Sequence, residues 1–381
     1  MQDVDLRRVI SSLIQSEIVS SKKEIGFVGP DETLRADSLE MLSLATRVAQ
    51  MFHLHEAGVQ EYLVSYRTLG EWVEVVQFAL TKGTGRISFQ TSGSTSNPVI
   101  CPHHISTLEQ EIGELKILFR QIKRIISLVP SHHIYGFLFT ALLPAALEIP
   151  VVEGRRRALL EMLDSLEDGD LVIGSPFHWL QIDRTAPSFP PHVAGVSSGG
   201  PCNDEVRLSL ERKGLRLTDV YGSSETAGIG YRQGVGIPFR LFSFWKHTGK
   251  DSLTRHLPDG GVAEYSIPDQ LNWIDHQTFT VSGRRDGVVQ VAGMNVSPEL
   301  IAARIKAHPS VAECAVRLMR AEEGERLKLF VVWEPELNSP SDLTSHLEDW
   351  LRENFRSHER PCTIAVGTEI PRNPMGKLTD W

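Results

Sequence analysis

The sequence predicts an α/β protein in three parts: a small helical segment over residues 1–80, a large α/β domain over 84–285 and a smaller α/β domain over 286–381. Three observations predict it. Apolar residues recur at helical spacing through the first 80 positions. Beyond them, short apolar runs at 86–90, 125–130, 171–173 and 193–196 end in Gly, Ser or Pro turns, as buried strands do. After Gly283-Arg284-Arg285, helical and strand periods alternate over 300–308, 311–318, 327–333 and 343–355.

Composition narrows the class. The 381 residues are 41% hydrophobic and 23% charged, as in an ordinary globular protein with room for two or three domains. A net charge of −9 argues against a nucleic-acid partner. Cys101, Cys202, Cys314 and Cys362 lack zinc-ligand spacing and read as free thiols in a reducing compartment. The opening residues 1–8 are too charged to begin a signal peptide. The longest apolar run, 134–152, is interrupted by Pro144, Glu148 and Pro150, so it reads as a buried helix and strand rather than a membrane span. The expectation is a cytoplasmic protein with no membrane partner.

In chain order, Val9, Ile10, Leu13, Ile14 and Ile18 mark one face of a first helix. Asp37 or Ser38 can cap a second helix that runs through Leu42, Leu44 and Val48 to Phe52, and a further helix starts near Thr68 and continues through Trp72, Val73 and Val76. The breaker stretch 81–85 marks a boundary. A hydroxyl-rich loop, Thr91-Ser92-Gly93-Ser94-Thr95-Ser96-Asn97-Pro98, then leaves a strand-like run. Backbone N–H groups and hydroxyls in such a loop can wrap phosphate oxygens. It lacks the Gly-Lys-Ser/Thr ending of P-loop nucleotide-binding proteins, which excludes that class. Three later stretches carry chemistry: Pro130 to Gly136 around His133, the Ser197-Ser198-Gly199-Gly200-Pro201 loop, and Tyr221-Gly222-Ser223-Ser224-Glu225 at a strand end, where a hydroxyl and a carboxylate suit phosphate oxygens and a hard cation.

Taken together and in this order, the stretches resemble the adenylate-forming superfamily, which includes acyl-CoA synthetases and the adenylation domains of peptide synthetases. The resemblance covers residues 85–381 and ends on Pro371-Arg372-Asn373-Pro374-Met375-Gly376-Lys377. It implies a reduced adenylate-forming large domain with a small mobile C-terminal domain. By the same resemblance, Thr91, Ser92, Gly93, Ser94 and Thr95 bind phosphate, Gly199, Gly200 and Tyr221 meet adenine, Ser224 touches the α-phosphate, and Glu225 holds Mg²⁺. Asp269 binds ribose, with Asp275 as a competitor because the usual Thr-Gly before this aspartate is missing. Arg284 meets ribose or phosphate, Asp286 is the hinge, His133 flanks the acyl pocket and Lys377 is the catalytic lysine. Val99 stands where the family usually has Lys.

The first 80 residues are similar to an acyl carrier protein, with Ser38 in the position that carries 4′-phosphopantetheine there; the same Asp37-Ser38 pair serves equally as a helix N-cap. The chain also looks like the short aryl-acid ligases of aryl polyene and xanthomonadin pigment clusters. The implied activity is ATP-dependent activation of a carboxylic acid, such as a hydroxybenzoate or hydroxycinnamate, to an acyl-adenylate. A phosphopantetheine thiol of an acyl carrier protein, in trans or in cis at Ser38, then captures the acyl group. A ligase that releases acyl-CoA is the alternative, and a non-catalytic binding protein a further one. Because the large domain is short before the phosphate loop, a second subunit in a homodimer is one way to complete the acyl pocket.

Overall fold

The computed structural model describes residues 3–21, 26–28, 32–83, 85–90, 99–155, 157–249, 252–285, 287–291, 294–320, 323–324, 326–334, 340–372, 378–379 and 381. The chain divides into two compact units, one formed by residues 1–91, 100–267 and 271–281, the other chiefly by 282–381.

The first unit opens with the helices α1 (Asp3–Ser21), α2 (Ser38–Met51) and α3 (Leu69–Lys82), with a single helical turn at Tyr62–Ser65 before α3. Helix α2 is started by a capping box: Asp37 Oδ1 accepts from the Leu39 and Glu40 N–H groups at 2.9 Å, and Glu40 accepts from the Asp37 N–H at 2.8 Å. Thr68 and Glu71 repeat the device on α3. Met41, Leu44, Ala45, Val48 and Met51 give α2 one buried face. These helices have no core to themselves. Leu6, Val48 and Trp72 are buried in the same hydrophobic cluster as Phe89, Phe137, Ile173 and Phe279 from the rest of the unit.

Nine strands form the main sheet: β1 (Arg124–Ser127), β2 (Val151–Glu153), β3 (Asp170–Gly174), β4 (Ala194–Ser197), β5 (Arg216–Ser223), β6 (Ala227–Gln233), β7 (Phe239–Leu241), β8 (Asp269–Trp273) and β9 (Thr278–Arg284). Their order is β8-β9-β7-β6-β5-β4-β3-β1-β2. From β2 to β5 the neighbours pair parallel, with Ser127 opposite Ile173, Gly174 opposite Ser197 and Ser197 opposite Asp219. Strands β5, β6 and β7 pair antiparallel. Strand β3 is buried along its whole length, as expected of a parallel strand covered on both faces. The 134–152 run folds as helix through Leu147, with a π-helical stretch at Leu138–Leu142, before strand β2. A separate hairpin pairs Arg86–Gln90 with Ile100–His104, and helix α4 (Ile105–Leu118) follows it.

The second unit packs the helices Pro298–Ile305 and Pro340–Asn354 with a three-stranded sheet of Val311–Leu318, Leu327–Trp333 and Thr363–Val366. Its core includes Val296, Ile301, Ile305, Leu329, Leu347 and Leu351. Among the described residues of both units, no helix is long and apolar enough to cross a membrane.

One buried charge cluster braces the centre of the main sheet. Asp219 on β5 meets Arg207, fully buried, at 2.6 Å and Arg232 of β6 at 2.8 Å. Removing one partner of such a cluster strands the others in low dielectric. Asp219→Ala is therefore expected to lower the unfolding free energy by about 3–5 kcal/mol, read by urea denaturation followed through tryptophan fluorescence. A loss below about 1 kcal/mol, the size of an exposed pair, would show that the cluster does not brace the sheet.

Candidate active site

Parallel pairing carries the chain out of β1, β3, β4 and β5 at one edge of the sheet, where open α/β sheets bind ligands. The stretches singled out from the sequence leave the sheet there, Pro130 to Tyr135 after β1, Ser198 to Gly200 after β4 and Ser224-Glu225 after β5, and Ser175 to His178 leaves it after β3. Tyr135 ties three of these exits together, because its hydroxyl lies 3.0 Å from the Gly174 carbonyl and 2.8 Å from that of Val196. Gly199 is exposed at φ +85°, a conformation that side chains other than glycine's rarely adopt.

Tyr221 is half-buried, with Phe239 and Phe279 at ring-centroid distances of 5.7 and 5.5 Å. Gly222 sits where a Cβ would come within 2.1 Å of the Ala227 carbonyl oxygen, so the turn from β5 to β6 closes only around glycine. Three side chains hold that turn. The His103 ring donates from Nε2 to the Ser224 carbonyl at 2.7 Å, which fixes its tautomer. Fully buried Arg255 donates to the Thr226 carbonyl at 3.1 Å. Glu111, also fully buried, accepts from the Gly228 N–H at 2.9 Å. Glu225 itself is exposed, and its charge is felt by Cys101, whose thiol is pushed up to about 11, mainly by burial. The carboxylate therefore lies beside the hairpin whose strands flank the hydroxyl-rich loop. None of the turn's supports, His103, Arg255 and Glu111, was picked out from the sequence.

Gln90 and Ile100 pair across the base of that loop and line a cavity of about 90 Å³, together with His132 and His133 after β1 and Leu13, Arg47, Gln50 and Met51 from α1 and α2. A second cavity of about 430 Å³ adjoins it through Gln50, Ser88 and Ile100. Burial pushes His133 down to about 4 and His132 well below its ordinary range, so both are neutral at pH 7. His133 thus faces the cavity as a neutral ring, and α1 and α2 supply part of the wall.

The other sequence candidates divide. Ser38 is exposed as the first residue of α2, and the capping is done by Asp37. Asp269 opens β8 and Arg284 closes β9, both half-buried. Asp275 is spent on its own hairpin, where Oδ1 accepts from the Gln277 and Thr278 N–H groups at 2.7 Å. Thr91, Ser92, Gly93, Ser94, Thr95, Asp286 and Lys377 lie outside the described residues.

Residues 301–377 match the AMP-binding enzyme C-terminal domain. Over 390 residues, covering 98% of each chain, the protein is 34% identical to a 4-coumarate–CoA ligase of Halorhodospira halophila. Over 362 residues, covering 92% of this chain and 84% of the relative, it is 36% identical to a 4-coumarate–CoA ligase of Cereibacter sphaeroides. A double mutant of o-succinylbenzoate CoA synthetase from Bacillus subtilis, bound to a product analogue, has the same fold, with a TM-score of 0.63 at 15% identity over 98% of this chain and 91% of that one. The protein belongs to the adenylate-forming enzymes. Within that superfamily it is an acid–thiol ligase that works through an acyl-AMP intermediate.

The carboxyl of Glu111 gives the turn a pH signature. Burial pushes it up to about 7, against the opposing pull of Arg255 and the Gly228 N–H. The folded state then holds a proton that the unfolded chain releases, so this contribution is present at low pH and is lost as pH rises from the ordinary carboxyl range through about 7. The buried His132, His133 and His178 act with the opposite sign, losing their contribution as pH falls. The stability difference between wild type and Glu111→Gln isolates the carboxyl. It is expected to shift against wild type by on the order of 1–3 kcal/mol between pH 5 and pH 8 in denaturant titrations; a difference independent of pH would contradict the assignment.

Proposed function

We propose that this ligase activates an aryl carboxylic acid of the hydroxycinnamate type with ATP and transfers the acyl group to coenzyme A. The observation that carries the reading is identity above 30% to 4-coumarate–CoA ligases along almost the whole chain. The convergence of the Ser197–Gly200 and Tyr221–Glu225 stretches at one sheet edge supports it.

In the first half-reaction a carboxylate oxygen attacks the α-phosphorus of ATP, the bond to the bridging oxygen breaks and pyrophosphate leaves. In the second, a thiolate sulfur attacks the acyl carbonyl and AMP leaves. Two anions must meet in the first step, so its barrier falls with preorganised donors and cations. In our reading Thr91 to Thr95 cradle the phosphates, Ser224 contacts the α-phosphate and Lys377 bridges carboxylate and phosphate. Tyr221, Gly199 and Gly200 take adenine. Asp269 takes ribose, since the Asp275 carboxylate already closes a turn, and Arg284 meets ribose or phosphate. The exposed Glu225 carboxylate, next to a hydroxyl at a strand end, fits Mg²⁺, which pairs one or two carboxylates with phosphate oxygens and would neutralise charge on ATP. Asp286 serves as the pivot that withdraws Lys377 between half-reactions.

The test is ATP–pyrophosphate exchange over a panel of aryl and alkyl acids, followed by thioester formation with coenzyme A alone, and then with a phosphopantetheinylated carrier protein. Exchange with hydroxycinnamates and acyl-CoA formation without a carrier are expected. Thioester only on an added carrier, or on Ser38 of the same chain after phosphopantetheinylation, would move the acceptor to a carrier protein; exchange with no acid would remove the function. Lys377→Ala and Glu225→Ala are each expected to cut exchange by roughly 10²–10³-fold, the usual loss for one preorganised contact to transition-state charge. Wild-type exchange in either variant would refute that residue's role.

A further inference from the structure

The turn that follows α2 gathers nitrogen and carboxylate donors that neither half-reaction uses. His53, His55 and Glu56 lie on or beside the one-turn helix Leu54–Ala57, and one donor atom of each lies within 4.8 Å of the other two. His53 separates that turn from α2 in a left-handed backbone conformation, φ +52°, which is uncommon outside glycine.

His53 is oriented as a metal ligand would be. Its Nε2 lies 2.8 Å from Ser88 Oγ, on the strand that leads into the hydroxyl-rich loop. With the proton on Nε2 and donated to that hydroxyl, Nδ1 keeps its lone pair; metal-bound histidines are held by an outer partner in this way. Nδ1 is closed off from solvent and has no hydrogen-bond partner among the described residues, while Glu56 Oε1 lies 3.2 Å from it. Two ligand atoms about 2.0–2.1 Å from a tetrahedral ion stand about 3.3–3.4 Å apart. Nδ1 and Oε1 therefore already have the spacing of one edge of such a site. Burial, against the pull of Glu56, holds His53 below the ordinary histidine range, so the ring is neutral at pH 7. The His55 ring, centred 5.6 Å from that of His53, is exposed and closes the group from the solvent side.

One charge opposes a cation here. Arg86 Nη1 lies 3.3 Å from the same Glu56 oxygen, but its side chain is 38% exposed and can swing into solvent when an ion takes that oxygen. Two imidazoles and one carboxylate suit Zn²⁺, which takes three protein ligands and a water; Mg²⁺ and Ca²⁺ prefer oxygen donors alone.

We propose that His53, His55 and Glu56 bind one Zn²⁺, with solvent completing the coordination and Ser88 as the outer partner of His53. The ion would join the end of α2 to the strand at the base of the hydroxyl-rich loop. The proposal does not depend on which acid the ligase activates.

The experiment strips the full-length protein with a chelator and titrates it with ZnCl₂ by calorimetry, in excess Mg²⁺ so that oxygen-rich sites are filled. Wild type is expected to take one Zn²⁺ per chain with micromolar or tighter affinity. Ser88→Ala is expected to weaken binding by roughly 10–100-fold, the usual cost of losing an outer partner. His55→Ala and Glu56→Gln, which remove a ligand, are expected to weaken it by at least as much, and Arg86→Gln to tighten it several-fold. An unchanged melting temperature of the zinc-free variants shows that they fold. Co²⁺ in place of Zn²⁺ is expected to give the strong visible absorption of a tetrahedral ion in wild type and to lose it in His55→Ala. No stoichiometric Zn²⁺ on wild type would overturn the proposal. Wild-type affinity in both His55→Ala and Glu56→Gln would overturn it as well, by placing the metal elsewhere among the chain's 14 histidines.

Discussion

The active-site edge depends on one constraint, the parallel direction of β1, β3, β4 and β5. Each parallel strand must return by a crossover, so consecutive strands deliver their following loops to the same side of the sheet. Reversing any one of them would send its motif to the opposite edge. The register then sets depth: Gly174 faces Ser197 and Ser197 faces Asp219, so β3 and β4 end at the same level while β5 runs on past it to Ser223. Tyr135 can bridge the ends of two strands with a single hydroxyl because of that alignment.

The sheet centre is also where the unit buries most of its charge. Arg207 and Arg255 are fully buried, and each lies against β5, β6 or the turn between them. Such groups are poor stabilisers compared with apolar packing, but each has a defined geometry and tolerates few alternatives. They gather at β5 and the turn that carries Ser224 and Glu225. The histidines behave differently. Burial leaves His132 and His133 uncharged, so the fixed charge among the cavity's lining side chains is that of Arg47.

The stretch before the hydroxyl-rich loop serves two ends. Its helices bury Leu6, Val48 and Trp72 in the common core of the first unit while Arg47, Gln50 and Met51 of α2 line the cavity. Met51 does both, packed in the core and lining the cavity.

What the sequence determined by itself is local. Helical periods, caps and strand runs depend on neighbours within a few positions, so Asp37 and Thr68 announced their helices and the 311–318 and 327–333 runs announced their strands. The placing of Ser224 and Glu225 at a strand end was equally local, and the strand does end at Ser223. Tertiary structure alone decided which distant residues serve that turn. Glu111 reaches Gly228 across 117 positions and His103 reaches Ser224 across 121, and no local pattern encodes a contact made by the packing of a helix or hairpin against a strand end. Residues 1–80 were read from the sequence as a helical part of their own, since an amphipathic face says that it will be covered but not by what. Packing decided it, by covering that face with the main unit.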